Sequence, residues 1–246
     1  MIDHELTENQ FQRIKSLFTV ILAIWFREYK FSFGKLKELF LSGILGKSQF
    51  GQDLFVISKV KHNNRKYFVE LGASDGIELS NTYLLETWHG WSGLLIEPAE
   101  IVASALVTNR PNAFISLAAV VPNYEDSYRF IALSNPGLSH LINDDSREGR
   151  DCVEGNPSTK VKMFTLTGLL AHHNLPNYID FLSLDVEGLE FEILKSFDFS
   201  RYCFGIICVE HNYRSDRLDI HNLLSCKGYK RVYGRVSKVD DWYIKV

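Results

Sequence analysis

Four short apolar runs in this chain each close on a carboxylate: Glu70 within Lys66–Leu71, Glu97 after Gly93–Ile96, Asp185 after Phe181–Leu184, and Glu210 after Phe204–Val209. Unbroken runs of this length read as strands covered on both faces, because a half-exposed strand would alternate apolar with polar. Helical patterns separate them, over Asn81–Thr87, Ala99–Thr108, Gly188–Phe197 and Asp216–Cys226. Strands alternating with helices imply crossover units and a mostly parallel sheet. Ala113–Val121, Ser127–Leu133 and Lys160–Leu166 add strands, and Thr167–His173 a short helix. Lys230–Val236 and Trp242–Val246, joined by a short turn, add an antiparallel edge at the C-terminus. The expected fold is an α/β, doubly wound, mostly parallel sheet with its ligand at the carboxyl ends of the strands.

The 246 residues suit one large domain with an appendage, and the boundary is expected between 1–47, a helical extension, and 48–246. Lys+Arg 27 against Asp+Glu 30 leaves a net charge of −3, which gives no electrostatic footprint for nucleic acid. Cys152, Cys203, Cys208 and Cys226 form no CxxC pair, so they read as free thiols of a reducing, cytoplasmic chain. Within the extension, Ser16–Phe26 is apolar but shorter than a membrane span, and the acids before it do not suit a signal peptide. Such a helix must be buried. Two homes stay open: the domain or a second subunit of a homo-oligomer, and peripheral contact with a membrane surface through 16–26. Asn143–Lys160, polar and containing Gly and Pro, departs from the strand–helix rhythm and reads as a long loop.

The chemistry begins at Glu70-Leu71-Gly72-Ala73-Ser74-Asp75-Gly76. A strand entering a glycine-spaced turn before a helix brings backbone N–H groups close to a ligand. Glu97, at the end of the next strand, is placed to grip vicinal ribose hydroxyls. Together they point to a nucleoside. Gly72-x-Ser74-x-Gly76 lacks the G-x-G-x-x-G spacing that clamps a pyrophosphate, so the cofactor expected is one without phosphate, S-adenosylmethionine. In that reading Glu70, Gly72, Ser74 and Gly76 lie near its amino-acid portion and Glu97 holds its ribose.

Ser48–Asp53 (SQFGQD), Phe68–Ala73 (FVELGA), Ile96-Glu97-Pro98, Leu184–Glu190 (LDVEGLE) and Val209–Asn212 (VEHN) together resemble the FkbM family of S-adenosylmethionine-dependent methyltransferases. The resemblance runs from about Ser48 to Val246, with LDVEGLE its most specific part. It implies a Rossmann-like, class I methyltransferase fold and O-methylation of a hydroxyl. The acceptor it implies is a sugar in a polysaccharide, glycolipid or natural product, so the partner would be a small-molecule or glycan acceptor. It also suggests that Ser48–Asp53 folds over the cofactor through Gln52 and Asp53; the alternative is a helix-capping linker. Thr165-Leu166-Thr167 departs from the family's Thr-Leu-Asp. Asn143–Lys160 and the first 47 residues match no family motif, and those regions are expected to choose the acceptor.

Asp185 and Glu187 flank a buried strand end, and Gly188 lets the chain turn near a ligand. If the strand ending at Glu210-His211 is its neighbour, Asp185, Glu187, Glu210 and His211 converge on one rim. Such a group can deprotonate or orient a hydroxyl. Asp185, Glu187 and Glu210 can instead hold a divalent cation. Glu190 and Glu192 read as solvated first-turn charges, and His172 and His173 as an ordinary helix end. Two function classes stand: a methyl-transferring enzyme, and a non-catalytic nucleoside-binding module that keeps the pocket for regulation.

Overall fold

The computed structural model describes residues 19–22, 39, 41–42, 45–60, 66–124, 128–132, 140–143, 156–158 and 161–246. The strands are β1 (Tyr67–Leu71), β2 (Ser92–Ile96), β3 (Phe114–Ser116), β4 (Ala118–Val120), β5 (Tyr128–Ala132), β6 (His140–Asn143), β7 (Asn156–Ser158), β8 (Lys162–Phe164), β9 (Tyr178–Leu184), β10 (Cys203–Glu210), β11 (Tyr229–Val232) and β12 (Asp240–Lys245). The helices bounded in full are α1 (Gln52–Lys59), α2 (Tyr83–Thr87), α3 (Glu100–Asn109), α4 (Leu166–His172), α5 (Glu190–Ser196) and α6 (Arg217–Cys226).

Seven strands form the main sheet in the order β11-β12-β10-β9-β1-β2-β3. β3, β2, β1, β9 and β10 pair in parallel, and β12 pairs antiparallel with both β10 and β11. The antiparallel edge is therefore a hairpin whose reversed strand, β12, lies between β10 and β11. Strand order reverses between β1 and β9, and a doubly wound sheet opens its ligand crevice at that point.

Side chains alternate across the sheet, so each strand feeds two cores. Val69, Leu71, Leu182, Leu184, Ile207 and Val209 pack with Leu169, Ile193, Leu194, Ile220 and Leu224 from α4, α5 and α6. Phe68, Leu95, Phe181, Ile206 and Cys208 pack with Leu54, Phe55, Leu84, Leu85 and Leu106 from α1, α2 and α3. Helices thus cover both faces, which is why the strands carry so few polar residues.

Three sequence expectations are revised. Ala113–Val121 is two strands: the chain breaks at the exposed Leu117, and β4 leaves the main sheet to pair with β8. Ser48–Asp53 runs into α1, whose Gln52 to Ile57 are all buried, so the polar stretch opens a core helix. Glu190 is buried and not a solvated charge, whereas Glu192 is half-exposed. A small antiparallel sheet, β6-β5-β7, is inserted between β4 and β8. Most of Asn143–Lys160 and of 1–47 lies outside the described residues. Of 16–26, residues 19–22 are described; they are helical, with Val20 buried in the core beside Leu54 and Phe55 and Leu22 exposed. Among the described residues no helix is long and apolar enough to cross a membrane.

Candidate active site

β1 ends in a glycine turn because no other residue fits. Gly72 sits at φ +77°, and a Cβ there would collide with the Asp185 carbonyl oxygen beyond β9. The backbone N–H groups of Gly72 and Ala73 donate to the Ile96 carbonyl at 3.1 and 3.2 Å, which holds the turn against the end of β2. A cleft of about 580 Å³ opens there, within the usual size of small-molecule sites. Glu70, Gly72, Ser74, Asp75, Glu97, Asp185 and Glu187 line it together with Ile96, Pro98, Val102, Val120, Phe130 and Leu141. Phe130 and Leu141 come from β5 and β6, so the inserted sheet supplies part of one wall.

Glu97 lies at the cleft's edge, buried, with Oε2 accepting from the Ser74 N–H at 2.8 Å and Oε1 from the Ala99 N–H at 2.8 Å. Burial raises its carboxyl above the ordinary range, against the lowering effect of those two bonds. Glu70 lines the same cleft, but its oxygens are occupied by the loop that follows. Oε1 accepts from the Asn81 N–H at 2.6 Å, and Oε2 from Ser80 Oγ at 2.9 Å and Thr82 Oγ1 at 2.5 Å. Behind it Arg110, fully buried, donates to Glu86 at 2.6 Å, to the Gly76 carbonyl at 3.0 Å and to Ser80 and Thr82 at 3.1 and 3.0 Å. Glu70 and Arg110 thus pin the cleft's inner wall.

At the far end of the cleft, β9 and β10 pair in parallel with Leu184 opposite Val209, which sets Asp185 beside Glu210. Ligand atoms of Asp185, Glu187 and Glu210 lie within 4.8 Å of one another. Three carboxyl groups crowded into one largely buried corner make the charged forms costly. Burial raises Asp185 well above the usual range, and Glu210, Glu187, Glu190 and Asp240 raise it further. Burial and the Glu187 charge push Glu210 up to about 7, against a lowering effect of the neighbouring Asp185. Both carboxyl groups are thus raised, and Glu210 reaches the neutral range in which a carboxylate can exchange a proton. The turn between them is built for this. Glu187 and Gly188 take positive φ, 58° and 126°, and Glu190 Oε1 accepts the Val186 and Gly188 N–H groups at 3.0 and 3.1 Å. Arg214 lies 3.7 Å from both Glu187 and Glu190 and balances part of their charge.

The family model for the methyltransferase FkbM domain matches residues 70–231, about two thirds of the chain. The chain belongs to the FkbM methyltransferase family. It is an S-adenosylmethionine-dependent methyltransferase with the class I fold. No curated protein matches it. Among solved structures it is similar to a Methanococcus jannaschii fibrillarin pre-rRNA processing protein, at 14% identity over 81% of this chain and 74% of that one, TM-score 0.43. It is also similar to an O-methyltransferase from Bacillus cereus in complex with SAH, at 12% identity over 97% and 91%, TM-score 0.39. A third is a precorrin-6y C5,15-methyltransferase from Geobacter metallireducens, at 13% identity over 73% and 72%, TM-score 0.39.

The cleft of this FkbM methyltransferase fits S-adenosylmethionine chemically. Its lining carries the carboxylates Glu70, Asp75, Glu78, Glu97, Asp185 and Glu187 and, among the described residues, no Lys or Arg. Such walls favour a cationic, phosphate-free cofactor over a nucleotide. Of the residues expected at the cofactor, Glu70, Gly72, Ser74 and Glu97 line the cleft. Gly76, at φ +80°, instead packs against Arg110 and Leu106, and its conformation closes the turn from behind.

Two of the expected cofactor residues stand elsewhere. Asp53 is fully buried and accepts from Ser48 Oγ at 2.5 Å and the Leu54 N–H at 2.8 Å, so it braces the entry to α1. Gln52 donates to Asp240 at 2.5 Å in a small polar pocket beyond the cleft. His211 is not part of the carboxyl cluster. It follows Glu210, so its ring turns to the opposite face of the sheet, where Nδ1 accepts from the Tyr213 N–H at 2.9 Å and Nε2 lies 3.8 Å from Asp241. The residues missed from sequence are Arg110, Asn81, Ser183 and Asp240. Each is polar and lies outside the motifs, Ser183 only just before LDVEGLE, and a further signal was Asp240's place opposite a strand that ends in an acid.

Proposed function

We propose that this FkbM methyltransferase methylates a hydroxyl of a sugar, in a polysaccharide, glycolipid or natural product, with Glu210 as the base. The observation that carries the reading is the convergence of Asp185, Glu187 and Glu210, within 4.8 Å of one another at the rim of the cleft, with Glu210 raised to about 7. A sugar hydroxyl is a weak nucleophile at neutral pH, and a carboxylate poised there can take its proton as the new oxygen–carbon bond forms. When bound, the cofactor supplies a methyl carbon attached to a sulfonium, which leaves as a neutral thioether. Asp185 packs beside Glu210 from the neighbouring strand, and Glu190 fixes the turn that presents Asp185 and Glu187. The hydroxyl and sugar assignments are further supported by the family resemblance.

The test is methyl transfer to sugar-containing extracts beside calorimetry with SAH. Glu210→Gln should lower turnover by about 10²–10⁴ while SAH affinity holds. A fully active Asp185→Asn/Glu210→Gln double variant would overturn the reading. A divalent cation on Asp185, Glu187 and Glu210 is the second reading, favoured by their mutual distances within 4.8 Å. It requires that EDTA abolish turnover, that Mg²⁺ or Mn²⁺ restore it, and that SAH binding persist throughout.

A further inference from the structure

Beyond the cleft's inner wall lies a second, smaller space of about 50 Å³, lined by Gln49, Gln52, Asn81, Asp185, Glu210 and Asp240, with Ser183 and Cys208 among the rest. Asn81, Ser183, Asp185 and Leu79 line both spaces, so the two share a wall. Glu210 lines the small pocket and not the large cleft. A hydroxyl that gives its proton to Glu210 therefore has to approach from the small pocket's side, while the methyl carbon comes from the cleft.

We propose that this pocket is the acceptor subsite, that Gln52 and Asp240 are its specificity-determining residues, and that it takes the uncharged hydroxyl-bearing edge of a polyol and turns anionic sugars away. The inference rests on the hydroxyl-transfer reading above. Space sets the first limit: the pocket is far smaller than the roughly 300–1,000 Å³ of sites that enclose a whole ligand, so it admits a hydroxyl-bearing edge and not a whole ring. Chemistry sets the second. Amides and carboxylates alternate around it, and these groups can accept from and donate to neighbouring hydroxyls without supplying a positive charge. Asp240, together with Glu210 where it is ionised, repels a uronate or a phosphate ester, and among the described residues no Lys or Arg lines the pocket to offset them.

The two residues are held in place for this. Gln52 opens α1, with Oε1 accepting the Phe50 N–H at 2.9 Å and Nε2 donating to Asp240 Oδ2 at 2.5 Å. Asp240 opens β12 directly opposite Glu210 in the antiparallel register. Both are buried, so neither swings away to solvent. The Nε2 atom of Gln52 keeps one N–H beyond the bond to Asp240, and that donor faces the requirement of an incoming hydroxyl oxygen. The arrangement also explains why a polar residue pair from distant parts of the chain is buried at the rim of a methyl-transfer site.

The experiment is titration of the SAH-saturated protein with methyl α-D-glucoside, glucuronate and glucose 6-phosphate, followed by ligand-observed NMR and calorimetry. The neutral glycoside should bind, and the two anions should bind at least about tenfold more weakly. Gln52→Met should weaken the glycoside about tenfold, the effect of one lost hydrogen bond, with SAH affinity within twofold of the parent as the control for folding. Asp240→Asn should narrow the gap between glycoside and anions. Gln49→Ala, at the exposed mouth, gives a fold-safe second variant and should weaken the glycoside alone. The proposal is overturned if no neutral glycoside binds, if the anions bind as well as the glycoside, or if the variants change SAH affinity instead. Because these are binding measurements, they are separate from the turnover of Glu210→Gln on which the hydroxyl-transfer reading stands.

Discussion

Glu97 has two oxygens, and each already accepts one backbone N–H, from Ser74 and from Ala99. Every carboxylate oxygen has a second lone pair, so the residue can brace the glycine turn and still accept from vicinal hydroxyls of a ribose. Glu70 differs: its oxygens take three hydrogen bonds from the Ser80–Thr82 loop, and it serves the wall more than the ligand. Replacing Glu97 with Ala should therefore weaken SAH by about 1.5–3 kcal/mol in calorimetry, the range for hydrogen bonds to a charged group. Glu97→Gln, which keeps one acceptor oxygen, should lose less. Equal affinity in parent and both variants would remove Glu97 from the ribose. At the same scale His211→Gln should leave turnover within about threefold of the parent, since its ring lies across the sheet from Glu210 and general-base effects run to 10²–10⁴. A loss of that larger size would return the histidine to the site.

The elements around the cleft depend on one buried cation. Arg110, at the end of α3, holds Glu86 of α2 at 2.6 Å and stands 3.8 Å from Glu70 of β1. Removing one partner of a buried ion pair leaves the others uncompensated, so Arg110→Met should cost about 3–5 kcal/mol in urea denaturation. Arg110→Lys should recover little, because a single ammonium cannot meet the four partners that the guanidinium fork reaches. A cost below about 1 kcal/mol for the Met variant would show that the network is not structural. Arg110 was not legible in the sequence: it follows a helix by one residue and its partners are 24 to 34 positions away. The strands were legible because apolar runs buried on both faces carry their own signal, and β9 to β10 adjacency followed from the single crossover through α5. Their parity was legible too. Phe181, Ser183 and Asp185 alternate onto one face, as do Ile206, Cys208 and Glu210, and the same count sends His211 to the other. Grouping His211 with Glu210 ignored that period. For Gln52 and Asp53 the motif alone was a weaker guide for a different cause: α1 begins inside it, and helix entry and burial engage both side chains.

In the molecule as a whole, the acids of β10 and β12 act in two opposed ways from opposite faces of the sheet. On one, burial pushes Asp240 up to about 6, against the hydrogen bond from Gln52, and Glu210 reaches about 7. On the other, burial would raise Asp241, but Arg217 at 2.8 Å and Arg231 at 3.1 Å outweigh it and hold the carboxyl below its usual value. The two sets of acids act on stability with opposite signs. Between the ordinary carboxylate range and pH 6 to 7, the folded chain keeps protons on Asp240 and Glu210 that the unfolded chain has released. Unfolding then releases protons, and this contribution to stability falls as pH rises through that window. Asp241 does the reverse: its contribution is full above the ordinary range and is lost as pH falls through its depressed value. Each tenfold change in proton affinity is worth about 1.4 kcal/mol, so Asp240 alone accounts for at most about 3 kcal/mol. The expected profile, read from urea unfolding midpoints at fixed ionic strength, has its maximum on the mildly acidic side, near pH 5, and declines towards pH 8. Asp240→Asn should flatten the decline, because an amide keeps an acceptor for Gln52 and has no proton to lose. Arg217→Ala should erode the acidic limb instead, by freeing Asp241 from its closest cation. Stability that climbs steadily from pH 5 to pH 8 in the parent would mean that Asp240 and Glu210 ionise without cost in the folded chain, and the base assigned to the end of the cleft would lose its electrostatic support.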